Sequence, residues 1–290
     1  MKESKNYVVC TDSSSDIPSE LLSEWGVVST PLSFRFSNSD KQYTNDEMSI
    51  ENFYSQMKDG AVAKTSAVNS EQFIESFKKI LEDGQDILYP GFSSGLSTTY
   101  NSARIAKEAL LPDYPDRRIE LVDTLCASAG EALLIRLVLD KKESGATIDE
   151  AMEYAEAIKL SICHWFTVDD LVYLKRGGRV SPTTAFVGNV LGIKPVMHVD
   201  NDGHLVNVTK VRGRKISIAT LAQKYSELCT DRNARVFISH GDCRKDAEEL
   251  AGIIKEKTGK STDLITDVGP VIGAHSGPGT LALFFVGKER

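Results

Sequence analysis

The sequence predicts an α/β protein of two units. Residues 1–155 read as an N-terminal α/β/α unit around a parallel sheet, and residues 156–290 as a C-terminal α/β unit with a mixed sheet. Three observations carry this. Through the first half, short apolar runs alternate with longer amphipathic ones, the pattern of strands joined by helical crossovers. Past residue 155 a hairpin signal, Asp202-Gly203, interrupts that alternation. A chain of 290 residues also exceeds the usual reach of one hydrophobic core.

In order, "YVVCTD" (7–12) reads as a buried strand. "SEQFIESFKKILEDG" reads as a helix: Ser70 caps it, Phe73, Phe77, Ile80 and Leu81 share one face, and Gly84 ends it. "DILYPGF" is the next strand, and a helix runs through "TYNSARIAKEALL". "RIELVDT" (118–124) is a third strand, leading into the helix "GEALLIRLVLDKKESG". Thr147 and Glu150 form a capping box that opens "DEAMEYAEAIKLS". Beyond it, "HWFTV" is strand-like and "DDLVYLKRGGR" is a short helix ending in a glycine pair. "KPVMHVDNDGHLVNVTKVR" is two strands about a turn. Helix "SIATLAQKYSELC", strand "ARVFISH", helix "DAEELAGIIKEKTG" and strands "DLITDVG" and "LALFFVG" complete the chain.

Composition narrows the function classes. With 41% hydrophobic and 26% charged residues the chain is an ordinary soluble globular protein. A net charge of -7 argues against nucleic acid, which selects a basic face, and no recognition helix for a DNA-binding regulator stands out. The five cysteines form no CxxC pair, which fits free thiols in a reducing cytoplasm. No apolar run approaches the ~20 residues of a membrane span. Metal binding is not expected, since no His or Cys pair stands at ligand spacing.

Parallel sheets collect ligands at the carboxyl ends of their strands. "CTDSSSD", "GFSSGLS" and "VDTLCAS" all fall there. Gly91-Phe92-Ser93-Ser94-Gly95 also matches G-x-S-x-G, so a serine esterase using Ser93 with His275 is the alternative reading. No phosphate loop of the form G-x-x-x-x-G-K-[ST] and no HGGG oxyanion loop occurs. The other reading makes the hydroxyls neutral donors to an anion beside a helix N-terminus, with Ser97 both donor and cap. Thr65 and Ser66 form a second hydroxyl pair, in a loop before a helix. "LKRGGRVS" and "KVRGRK" are basic tracts, and "DVGPVIGAHSGPG" sets His275 in a tight, non-repetitive, glycine- and proline-rich backbone.

The tracts "TDSSSDIP", "KTSAVNS", "SSGLSTTYNSA", "VDT", "LVYLKRGGRVS", "LGIKPV", "KVRGRK" and "GAHSGPG" occur in the order found in the DegV family of bacterial lipid-binding proteins, which the chain resembles along nearly its whole length. The resemblance implies a two-domain DegV-like fold with a fatty acid such as palmitate or oleate buried between the domains. It implies carboxylate binding by Thr65 and Ser97, with Ser94 as the near alternative and His275 beside them. Arg212 and Arg179 match positions at the head-group mouth or the partner surface. It further implies a carrier without its own ATP site or cofactor, which presents the fatty acid to an ATP-binding fatty acid kinase subunit for acyl phosphate formation. Transient membrane contact is compatible with that role. The chain departs from the family where Ala67-Val68-Asn69 replace a Gln-Pro pair, and where Thr98 stands for a glycine; both sites keep their hydroxyls.

Overall fold

The computed structural model describes residues 6–180 and 192–290. Ser181 and Leu191, at the ends of two of the tracts quoted above, lie outside them. In chain order the strands are β1 (Tyr7–Asp12), β2 (Val28–Thr30), β3 (Ser33–Phe36), β4 (Tyr43–Thr44), β5 (Ala63–Ser66), β6 (Asp86–Gly91) and β7 (Ile119–Asp123). The second half adds β8 (Ile162–Thr167), β9 (Ile193–Val199), β10 (Leu205–Arg212), β11 (Val236–His240), β12 (Leu264–Asp267) and β13 (Leu281–Val286). The helices are α1 (Ser19–Trp25), α2 (Ile50–Lys58), α3 (Ser70–Glu82), α4 (Thr99–Leu110), α5 (Ala129–Glu143), α6 (Ile148–Ile158) and α7 (Val172–Arg176). After these come α8 (Arg214–Leu228), α9 (Arg244–Thr258) and α10 (Pro270–Ser276).

The first sheet runs β2-β1-β6-β7, all parallel, as the strand–helix alternation predicts. Every residue of β6 is buried, because helices cover both faces of a parallel sheet. The C-terminal sheet runs β10-β9-β8-β13-β11-β12. Only β11 and β12 pair in parallel, so the sheet is mixed, as expected. Asp202-Gly203 does make the β9–β10 turn: Gly203 takes φ 77°, a left-handed conformation that favours glycine, and its N–H reaches Asp200 O at 3.0 Å.

α5 joins the two sheets. Its first eight residues, 129–136, are buried on every side, and only its last turn, with Lys141 and Glu143 exposed, meets solvent. Val9, Leu88 and Val122 from the first sheet and Phe166, Phe237 and Phe284 from the second share one core cluster with it.

Three local readings change. The cap of α3 is Asn69, not Ser70: Asn69 Oδ1 accepts from Gln72 N–H at 2.9 Å, and Gln72 returns the bond, a complete capping box. Thr65 and Ser66 end a strand and not a loop, since β5 pairs with β3 in a small antiparallel sheet, β4-β3-β5. An aromatic cluster of Phe34, Phe53 and Tyr54 packs that sheet onto α2. The tract around His275 is helical. Pro270 begins α10, where its missing N–H costs nothing, and Gly277 at φ 82° ends it. Within it Gly273 allows close packing, because a Cβ there would lie 2.5 Å from the Tyr54 hydroxyl.

Candidate functional site

A cavity of about 470 Å³ lies between the first sheet's strand ends, α10 and the second sheet. That is within the usual range for small-molecule sites. Its wall is mostly apolar, with Leu32, Phe92, Leu96, Phe166, Val268 and Phe284 among its residues. Thr65, Ser94, Ser97, Arg179 and His275 all line it as well. Arg212 does not: it is exposed at the end of the edge strand β10.

β5 and α10 bring Thr65 and His275 together, with Oγ1 2.7 Å from Nε2. Burial first, and then the nearby Arg179 charge, hold the His275 pKa down at about 4, so the ring is neutral near pH 7. Its Nδ1 is buried without a hydrogen-bond partner among the described residues. A buried N–H without an acceptor is costly, so the proton belongs on Nε2, which donates to Thr65 Oγ1. The Thr65 hydroxyl then keeps its own proton for an acceptor in the cavity.

Ser97 precedes α4. The N-cap position of α4 is Thr98; Ser97, one residue earlier, accepts the Thr99 N–H with its Oγ at 3.2 Å and lies 2.9 Å from Thr99 Oγ1 while lining the cavity. Ser94 stands exposed at the mouth, its N–H held by Asp123 Oδ1 at 3.1 Å. Arg179 crosses from the segment after α7 to donate to Leu96 O at 3.2 Å, and a second guanidinium N–H goes to Gly177 O. It is the only Lys or Arg among the described residues lining the cavity. The set offers hydroxyl donors and one cation to an anionic head, with an apolar space for the rest of a ligand.

Ser93 has another job. It is fully buried, does not line the cavity, donates to Gly203 O at 3.0 Å and accepts the Gly95 N–H at 3.2 Å. It therefore pins the β9–β10 turn to the loop after β6, and His275 is bonded to Thr65 instead. The nucleophile–base pair required for an esterase is not formed. The first strand end also faces away. Ser14 is bonded to Asp12 and Glu131, and Ser15 to Asp12 O at 2.9 Å. Asp12 further accepts from the Tyr89 hydroxyl at 2.6 Å, and Glu131 from Thr11 at 2.8 Å. "CTDSSSD" thus builds a buried polar strut, while the loops after β6 and β7 reach the cavity.

The sequence places "VDTLCAS" at a strand end but singles out neither its Ser128 nor Ser239, which line the cavity from opposite halves. The alternation in "VFISH" marks one face of a strand, but not that a serine of the other half faces it. At the β9–β10 turn, ligand-type atoms of Asp200, Asp202 and His204 lie within 4.8 Å of one another. Asp200 Oδ1 there accepts the N–H groups of Asp202 and His204 at 3.0 and 2.8 Å, an Asx-type turn. No helix among the described residues is long and apolar enough to cross a membrane.

Comparison with known proteins agrees with this architecture. Residues 6–288 match a family model described as "Uncharacterised protein, DegV family". A DegV domain-containing protein of Clostridium perfringens is 41% identical over 288 residues, covering 99% of each chain. A DegV lipid-binding protein of Thermotoga maritima superposes with a TM-score of 0.84 at 31% identity, over 98% of this chain and 99% of that one. A stearic acid-binding protein of Eubacterium ventriosum superposes with a TM-score of 0.88 at 26% identity, over 97% and 98%. Matched from end to end by sequence and by fold, the chain belongs to the DegV family.

Proposed function

We propose that the chain binds a long-chain fatty acid and presents its carboxylate to an ATP-dependent kinase partner, which forms the acyl phosphate. The observation that carries the reading is the Thr65–His275 pair set in the wall of an otherwise apolar cavity. The acyl chain supplies most of the affinity, at ~0.8 kcal/mol for each methylene withdrawn from water. The carboxylate, once buried, needs hydrogen-bond donors, and Thr65, Ser97 and the mouth residues Ser94 and Arg179 supply them. A neutral imidazole behind Thr65 polarises that hydroxyl without adding a counter-charge, leaving a carboxylate oxygen available to a phosphoryl donor. On this reading the chain is a cytoplasmic carrier that divides near residue 155 and uses its partner's ATP site. Arg212, outside the cavity, serves the partner surface. The relatives described as lipid-binding and stearic acid-binding support the ligand class.

The test is lipid mass spectrometry of the purified, denatured protein, which is expected to release about one equivalent of long-chain fatty acid. Protein that is empty as isolated and takes up neither palmitate nor oleate overturns the reading. Adding an ATP-dependent fatty acid kinase subunit to the loaded protein tests the finer step, with acyl phosphate as the expected product.

A further inference from the structure

The cavity has a second polar spot, away from the Thr65–His275 pair. Ser239 of β11 and Ser128, just ahead of α5, both line the cavity, and their hydroxyls lie 3.0 Å apart. Ser128 donates to Asp16 Oδ2 at 2.5 Å. Asp16 Oδ1 in turn accepts the Gly269 N–H at 3.0 Å, at the start of α10. Both serines are buried; Phe166, Val268, Ala282 and Phe284 line the same cavity, as does His164, whose Nε2 accepts the Ala127 N–H. Ser128 reaches this position with φ 54° and ψ -146°, a region sparsely populated by residues with a Cβ, where its N–H is held by Ser14 O at 2.9 Å.

Where Asp16 is ionised, its end of this chain sets the proton order. The carboxylate accepts the Ser128 hydroxyl hydrogen bond, so Ser128 Oγ accepts from Ser239. The Ser239 proton is then committed, and its remaining lone pair is available to a donor in the cavity. Side chains of β11 alternate between faces: Phe237 and Ser239 point toward the shared core and cavity, whereas Ile238 joins the cluster on the far side. Gly269, which donates to Asp16, and His275 stand six residues apart along α10, a rise of about 9 Å at 1.5 Å per residue, so the two polar spots are tied to opposite ends of that helix. Both spots line the same cavity, so on the fatty-acid reading a chain held by its carboxylate at Thr65 has the second spot within the same enclosed space.

We propose that Ser128 and Ser239 form a subsite for a hydroxyl group carried part-way along the acyl chain, so that the cavity takes hydroxylated long-chain fatty acids as well as plain ones. This rests on the fatty-acid reading above. The ligand hydroxyl donates to Ser239 Oγ and so recovers in the cavity the hydrogen bond it gives up in water.

The experiment measures displacement of a fluorescent fatty acid, at pH 8 where Asp16 is ionised, by stearate and by hydroxystearates substituted at successive carbons from 7 to 12. The expected result is that one position binds within tenfold of stearate. Ser239→Ala then weakens that ligand about tenfold while leaving stearate unchanged. Ser239→Cys, close in size and a weaker hydrogen-bonding group, repeats the comparison and guards against a folding defect in the alanine variant. If every hydroxystearate binds more than a hundredfold weaker than stearate, or if both variants shift stearate and hydroxystearate alike, the subsite is wrong. Stearate that fails to bind the wild-type protein overturns the fatty-acid reading itself.

Discussion

Thr65 and His275 are 210 residues apart in sequence and 2.7 Å apart in the folded chain. One comes from the small antiparallel sheet β4-β3-β5 and the other from a seven-residue helix that leads into β13. Neither side chain is oriented by its own element alone. Removing the hydroxyl with Thr65→Val keeps the β-branched shape that suits β5 and removes the donor. Hydrogen bonds to charged groups are worth about 1.5–3 kcal/mol, so fatty-acid affinity is expected to fall about 10- to 100-fold. A fatty acid methyl ester, which lacks the carboxylate, should lose far less. Equal losses for acid and ester, read by competition binding, would place the carboxylate elsewhere.

Ser93 offers the clearest contrast between a motif and its use. Its hydroxyl joins two chain segments through Gly203 O, and a Cβ at Gly203 would lie 2.1 Å from it. Ser93→Ala is expected to lower unfolding stability by about 1 kcal/mol and leave fatty-acid binding intact. A fluorophosphonate probe should label neither wild type nor variant. Labelling that depends on Ser93 would revive the esterase.

The two arginines offer a test of the proposed division between binding and transfer. Arg179 lines the cavity, whereas Arg212 is exposed on β10 and outside it. Arg212→Ala is expected to keep fatty-acid affinity within twofold and reduce kinase-coupled acyl phosphate formation about tenfold or more, the scale of losing a charge-assisted contact. Unchanged coupled turnover would remove Arg212 from the partner surface. Arg179→Gln is expected to weaken binding itself.

The sequence made the regular elements easy to read, because each rests on local signals. The parallel strands, the α6 capping box and the Asp202-Gly203 turn depend on residues a few positions apart. The misread parts depend on distant partners. β3 and β4 are short and become a sheet only through β5 and the aromatic packing of α2, so no local period marks them. The glycines and prolines near His275 describe a loop by composition. Yet Pro270 suits a helix start, and Gly273 is small because Tyr54 packs against it. Serine-rich strand ends were visible as a class, but which of them face the cavity was not. Ser14 is held by Asp12 and Glu131, whereas Ser128, at a positive φ, lines the cavity.

Asp16 and His275 give the fold opposite pH dependences, and the two separate above pH 6.5. Burial raises the Asp16 pKa from 3.8 to about 7, against the opposing hydrogen bonds from Ser128 and Gly269. The folded chain thus holds that proton longer than the unfolded chain, so the stability it contributes is complete below about pH 4 and lost as pH rises toward 7. Burial raises the Asp12 and Glu131 carboxyls as well, and they act in the same direction. His275 works the other way: its pKa falls from 6.5 to about 4, so its contribution is complete above pH 6.5 and is lost as pH falls toward 4. The effects compete between pH 4 and 6.5, where His164, His198 and His240, also lowered by burial, act with His275; above that range the carboxyl contribution prevails. Ligand-free protein is therefore expected to lose stability from pH 6.5 to 7.5, by at most about 1.4 kcal/mol per pH unit for one group. Asp16→Asn should reduce that slope by the Asp16 share, leaving what Asp12 and Glu131 contribute, and His275→Gln should leave it unchanged while reducing the loss below pH 6. Chemical denaturation across pH 5 to 8 measures all three proteins. A wild-type slope retained in Asp16→Asn would show that Asp16 does not titrate in this range.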